Sequence, residues 1–154
     1  MSYSTCESAL ITLLKTVSGF TGTGLSENVK SGDYRVLGRK DKAIICTQGA
    51  DGPHQHNGVD VMRYLWMIDA EVHIKFNRDI STIASDIRTV MDNIYAMLQK
   101  YPTLNGASGV TLAFAQSADP PELAESGSGA RRFWTRKLHI VVREEVTLTG
   151  GEYP

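Results

Sequence analysis

The sequence predicts an α+β domain, an antiparallel or mixed sheet of four to five strands with two helices packed on one face. Three observations carry that expectation. A short N-terminal run has helical apolar spacing, a long stripe of the same kind follows residue 79, and strictly alternating segments flank the second stripe. No internal repeat is visible. A length of 154 residues suits a single domain with one core, residues 1–154 being read as that domain. With 42% hydrophobic and 21% charged residues, the composition is that of a chain that folds.

Ser4 and Glu7 have the spacing of a capping box, and Ala9, Leu10, Leu13, Leu14 and Val17 recur at helical spacing, which predicts a first helix over residues 5–17. Residues 20–41 are rich in glycine, with a short alternation at Tyr34 and Val36 that allows one weak strand in a loop. Residues 43–47 (Ala-Ile-Ile-Cys-Thr) suit a strand. The turn formers of 49–58 then predict a mobile loop, taken as flexible over residues 49–60.

From 63 to 76 the alternation is regular: Tyr64, Trp66, Ile68, Ala70, Val72, Ile74 and Phe76 share a face, opposite Arg63, Asp69, Glu71, His73 and Lys75. Leu65 and Met67 fall on the otherwise polar face, so the first half of this strand is apolar on both sides and suited to cover by a neighbour. Asp79 can cap a second helix whose stripe is Ile80, Ile83, Ile87, Val90, Met91, Ile94, Met97 and Leu98, ended by Pro102. Val110, Leu112 and Phe114 predict a further strand. The last runs over 133–146, with Trp134, Leu138, Ile140, Val142 and Val146 on one face. Between them, residues 116–130 read as a flexible projecting arm, because the Asp119-Pro120-Pro121 and 126–129 Ser-Gly-Ser-Gly runs oppose regular structure. Residues 147–154 read as a polar tail.

Function classes narrow in the same way. A net charge of −1, from 16 basic and 17 acidic residues, disfavours sequence-independent nucleic-acid binding. Cys6 and Cys46 have no paired spacing and read as reduced structural thiols. No apolar run reaches the roughly 20 residues of a membrane span, and the N-terminus lacks a leader pattern, so the chain is expected in the cytoplasm of the cell that makes it. His54 and His56 with Asp51 supply the residue types of a transition-metal site, but a Gly/Pro-flanked loop holds ligands poorly and exposed polar residues are the simpler reading. Asp69, Glu71 and His73 line one strand face and make an acid/base pair conceivable, with a solvated or interfacial face the stronger reading. The glycine runs lack the strand–helix context and Gly-Lys-Ser/Thr ending of a phosphate loop. Arg131, Arg132, Arg136 and Lys137 surround Phe133 and Trp134, and with Asp119, Glu122 and Glu125 nearby they read as local pairs or a protein contact. No catalytic, cofactor or metal residue is assigned.

This order of elements resembles that of the tail terminator (tail completion, or tail-to-head joining) proteins of long-tailed bacteriophages. The likeness rests on the short opening helix, the glycine-rich connector, the 63–76 strand, the helix opening Asp79-Ile80, the loop-rich hairpin and the aromatic-containing final strand. The resemblance implies a non-enzymatic homo-hexameric ring at the head–tail junction of a virion, assembled in the host cytoplasm. Such a ring caps the tail-tube protein, ends its polymerisation, meets a head-completion or connector protein, and lets DNA pass through its lumen. It implies no cofactor and no membrane. The contact residues expected on that basis are Asp51, His54, His56, Asp69, Glu71, His73, Asp119, Glu122, Glu125, Arg131 and Arg132. The alternatives are another phage head–tail connector or minor tail protein, or a small metal-binding or enzymatic domain using His54 and His56.

Overall fold

The computed structural model describes residues 3–18, 20, 28–32, 42–56, 60–75, 79–125 and 132–147. The elements run α1 (Tyr3–Leu14), β1 (Val29–Ser31), β2 (Lys42–Gln48), β3 (Gln55–His56), β4 (Val61–Lys75), α2 (Ile80–Lys100), β5 (Val110–Ala118), β6 (Glu122–Glu125) and β7 (Arg132–Thr147). The fold is α+β with a mixed sheet. Among the described residues it has seven strands, in the order β1-β2-β4-β7-β5, with β3 continuing the β2 side of β4 and β6 continuing the β5 side of β7. Only β1 and β2 pair in parallel, which makes the sheet mixed.

The two longest strands, β4 and β7, pair along their length from Val61↔Thr147 to Lys75↔Phe133. Because side chains alternate along a strand, this register commits each residue to a face. Ile68, Ala70, Val72 and Ile74 join Leu138, Ile140 and Val142 on the inner face, with Ile44 and Cys46 from β2 and Ala113 from β5. Both helices cover that face. α1 contributes Cys6, Leu10, Leu13 and Leu14, and α2 contributes Ile83, Ile87, Val90, Met91, Ile94, Met97 and Leu98. At about 25 cal/mol per Å² of apolar surface removed from water, this single sandwiched layer is the main source of stability.

The structure corrects several expectations. α1 is already under way at Tyr3, so Ser4 lies inside the first turn; the Glu7 carboxylate accepts the Tyr3 hydroxyl at 2.7 Å instead of closing a capping box. Asp79 does occupy the N-cap of α2, where its carboxylate accepts the Ser81 hydroxyl at 2.8 Å. The weak strand expected at Tyr34 and Val36 lies outside the described residues, and the strand found in that connector is β1.

The glycine-rich segment after β2 folds back along β4 and does not stand off as a loop. Gly49 N–H donates to the Met67 carbonyl, Gly52 N–H to the Leu65 carbonyl, and Leu65 N–H to Nδ1 of His54, before β3 pairs with Met62 and Arg63. Glycine suits position 49 because a Cβ there would lie 3.0 Å from Asp69 Oδ1 and 3.2 Å from Met67 Cβ, tighter than ordinary contact. Gly52 sits at φ +88°, a conformation that side-chain-bearing residues avoid. The expected arm is likewise shortened at both ends. β5 continues to Ala118, and β6 pairs with residues 132–135 after the Asp119-Pro120-Pro121 corner, leaving 126–131 outside the described residues.

Candidate functional site

β4 has 15 residues and therefore extends about 50 Å at about 3.3 Å per residue, whereas the 21-residue α2 covers about 31 Å at about 1.5 Å per residue. α2 therefore spans only part of β4, and α1 reaches the other part through Tyr3 against Trp66 and Cys6 against Glu144. Burial follows this mismatch: Ile68 to Ile74 of β4 supply the core, while every residue from Val61 to Met67 is only half-buried. The half-covered stretch pairs with Val141 to Thr147 of β7 and forms a two-stranded ribbon flanked by β3 and the start of β5.

On the inner side the ribbon carries an aromatic cluster. Tyr64 and Trp66 stack with ring centroids 5.2 Å apart and an interplanar angle of 5°; His54 lies 5.3 Å from the first and 4.9 Å from the second. Tyr3 meets Trp66 edge-on at 6.2 Å. Beneath them lies Glu144, at 0% exposure, which accepts the Trp66 indole N–H at 3.2 Å and lies 3.7 Å from the Cys6 thiol. Burial first, then the Glu144 carboxylate, pushes the Cys6 thiol up to about 12, and burial with Glu7 pushes Cys46 to about 12. Both are therefore thiols at neutral pH rather than nucleophilic or metal-binding thiolates. Burial, reinforced by Glu7, also raises the Tyr3 hydroxyl, which remains a neutral donor.

The outer side differs. Leu65 and Met67 of β4 face Arg143 and Val141 of β7, which in turn face Leu112 and Phe114 of β5. Arg63 closes the rim by donating to Glu145 at 2.7 Å.

Further along the outer face, two polar groups are built from several strands. His139 of β7 lies between two carboxylates: Nδ1 is 2.6 Å from Asp69 Oδ1 on β4, and Nε2 is 2.9 Å from Asp119 Oδ1 after β5. A neutral imidazole has one N–H, so only the imidazolium donates to both. The Asp119 contact, then Asp69, raises the His139 pKa against the opposing effect of desolvation. A raised folded-state pKa gives stability that is fully present below the unfolded value of about 6.5 and is lost as pH rises through the folded value. The urea midpoint is therefore expected to fall as pH rises above about 6.5, and Asp119→Asn to remove most of that fall. A wild-type midpoint independent of pH across this window would contradict the bridge.

The second group is Glu71 with His73 and Lys137. His73 Nε2 lies 3.2 Å from Glu71 Oε1 and Lys137 Nζ lies 3.9 Å from Oε2. The neighbouring His73 imidazole, then Lys137, hold the Glu71 carboxyl below its ordinary value despite partial burial. His73 is only 1% exposed, its ring edge-on to Phe133 at 6.2 Å.

The expected contact residues thus separate. Asp51, His54, His56, Glu122 and Arg132 are exposed. Asp69, Glu71 and Asp119 direct carboxylates at internal partners, and His73 is buried. Arg131 and the side chain of Glu125 lie outside the described residues. His54 packs in the aromatic cluster, apart from its sequence neighbour His56, which pairs with Met62 in β3. Among the described residues no group of three His, Cys, Asp or Glu side chains is arranged to hold a metal ion.

Sequence reasoning passed over three residues. His139 is unremarkable in sequence because its partners lie 70 and 20 positions away. Glu144 had a signal, since it shares the parity of Leu138, Ile140 and Val142. Arg143 had a weaker one, as the partner across from Leu65.

The described residues include two clefts beside α2. One of about 270 Å³ lies between the end of α2 and the β5 edge, lined by residues that include Tyr95, Leu98, Pro102 and Phe114. The other, of about 350 Å³, lies between the end of α1 and α2 beside Lys100 and Tyr101. Among the described residues no helix is long and apolar enough to cross a membrane.

No family model matches the chain, and no curated protein matches it.

Proposed function

We propose that the chain is a structural subunit that assembles with copies of itself into a ring. We propose further that this ring is a phage tail terminator: it caps the tail-tube protein, ends tail polymerisation, and offers its other surface to a head-completion or connector protein. The observation that carries the self-assembly reading is the β4/β7 ribbon, whose residues from Val61 to Met67 are half-buried, with Tyr64 and Trp66 on one face and Leu65 and Met67 set among Arg63, Arg143 and Glu145 on the other. A ribbon left half-buried by its own helices is an incomplete sandwich, and a neighbouring protomer completes it at little entropic loss because the strands are already ordered.

The more specific terminator role rests on the resemblance in element order. The net charge of −1 accords with it, because a lumen that DNA traverses must not grip the phosphate backbone. On this reading the subunit is non-enzymatic, needs no cofactor, and resides in the virion at the head–tail junction after assembly in the host cytoplasm. The test is the solution mass of the protein alone and with tail-tube protein. A self-associated species that also arrests tube growth fits the full proposal. Self-association without any effect on tube growth retains the ring and discards the terminator role.

A further inference from the structure

We infer that the Asp69–His139–Asp119 bridge is a pH-operated latch on β6, closed while the His139 ring carries both of its protons and released at the Asp119 end when it loses one. The latch works within a single chain, whether or not copies assemble. His139 Nδ1 lies 2.6 Å from Asp69 Oδ1, and Nε2 lies 2.9 Å from Asp119 Oδ1. With both nitrogens protonated, each contact is a charge-assisted hydrogen bond. With one proton gone, a nitrogen lone pair faces a carboxylate oxygen at that distance and the contact opens. Lys137 lies against Glu71 at 3.9 Å, Arg136 donates to the main-chain carbonyl of Asp119 at 3.0 Å, and Glu122 stands opposite Thr135, four positions along β7. The imidazolium is therefore the positive charge set between the two carboxylates.

The two ends of the bridge are not held equally. Asp69 sits in β4 between Thr47 of β2 and His139 of β7, and its side chain is 14% exposed. Asp119 follows β5 past the irregularity between Ala115 and Ser117, and its side chain is 50% exposed. An unpaired carboxylate costs less where water reaches it, so the remaining N–H stays with Asp69 and Asp119 is let go. Beyond Asp119 the hold on the chain is thin. Pro120 and Pro121 have no N–H to give, and β6 is four residues long with Glu122 and Leu123 both exposed. Apart from His139, it is seated by the Asp119 N–H on the Lys137 carbonyl at 2.9 Å, by Arg136, by the Thr135 hydroxyl on the Glu122 carbonyl at 3.2 Å, and by its ladder to residues 132–135 of β7. A short segment with few buried apolar contacts opens at small cost, so losing one charge-assisted bond at its root shifts it toward the open state. Opening bares the β7 backbone that β6 otherwise pairs. The Asp119 contact, then Asp69, strengthens proton binding by His139 against desolvation, and by linkage the bound proton favours the closed latch.

Amide hydrogen exchange of the full chain, read by mass spectrometry and corrected for its intrinsic rise with pH, tests the latch. As pH rises above about 6.5, protection of residues 119–125 is expected to fall at least about threefold further than protection of residues 43–47 in β2. The fall is expected to share its midpoint with the titration of the His139 ring followed by NMR. Asp119→Asn and His139→Gln are each expected to make the ratio of the two protections independent of pH. Far-UV circular dichroism checks that each variant folds, and if one does not, the other variant and the agreement of midpoints in the wild-type protein still decide. Protection that falls equally in both segments would show a global loss of stability without a latch. That result, a midpoint apart from the ring titration, or folded variants that keep the wild-type pH dependence overturns the proposal.

Discussion

Replacing Ile140 with alanine is expected to lower the unfolding free energy by about 2–5 kcal/mol, the range for removing a large aliphatic side chain from a packed core. Ile140 is fully buried in β7, with Ile68 of β4 on one side and Ala115 of β5 on the other. It belongs to the core cluster that also contains Ile83, Ile87 and Ile94 of α2. The small side chain of Ala115 leaves Ile140 to fill the layer at this point, and a regular, paired strand cannot collapse to refill it. Equilibrium urea unfolding measures the effect, and a loss below about 1 kcal/mol would place Ile140 outside the core.

Phe133→Ala is expected to be of similar size, about 3–5 kcal/mol, for a different reason. Phe133 sits on the outer face, where a one-sided sheet would leave it exposed, yet it forms a second buried cluster with Ala43 and Ile45. His73 meets its ring edge-on, and Lys75 is its cross-strand partner. If the outer face at this end were simply wetted, removing the ring would change stability by no more than about 0.5 kcal/mol, as at ordinary surface positions. The same urea experiment on this variant separates the two descriptions.

The parts of this fold that were legible in the sequence are those whose signal is local and periodic. The stripe from Ile83 to Leu98 recurs at helical spacing, and every member of it is buried. The alternation from Tyr64 to Ile74 is the inner face of β4, and the apolar content of Leu65 and Met67 on its other face marked the region that the helices leave half-covered. Strands that depend on partners remote in sequence were harder to see. Gln55 and His56 form β3 only because Gly49, Gly52 and His54 keep the chain against Met67 and Leu65, and no two-residue segment announces that from its own composition. β6 was hidden by the prolines at 120 and 121, which end β5 but do not prevent pairing from Glu122 onward.

Polar residues show the same limit. Asp69 and Asp119 were singled out as contact residues on separate elements, but the residue that joins them, His139, acquires its role only from the register of β4, β5 and β7. Glu144 was readable by parity, since an acidic residue continuing the run Leu138, Ile140 and Val142 must face the helices; there it finds the Trp66 indole and the Cys6 thiol. Arg143 could be placed on the outer face by the same rule, but that its Nε is buried there without a hydrogen-bond partner follows from the packing of its neighbours.

The central claim is that the half-buried β4/β7 ribbon is completed by further copies of the same chain. Light scattering on the purified protein across a concentration series tests it most directly. The account predicts a mass that rises with concentration to a discrete multiple of the 16.9 kDa protomer, a hexamer if the resemblance to tail terminators extends to ring size. A mass that stays at one protomer throughout the series, with and without tail-tube protein, would contradict it.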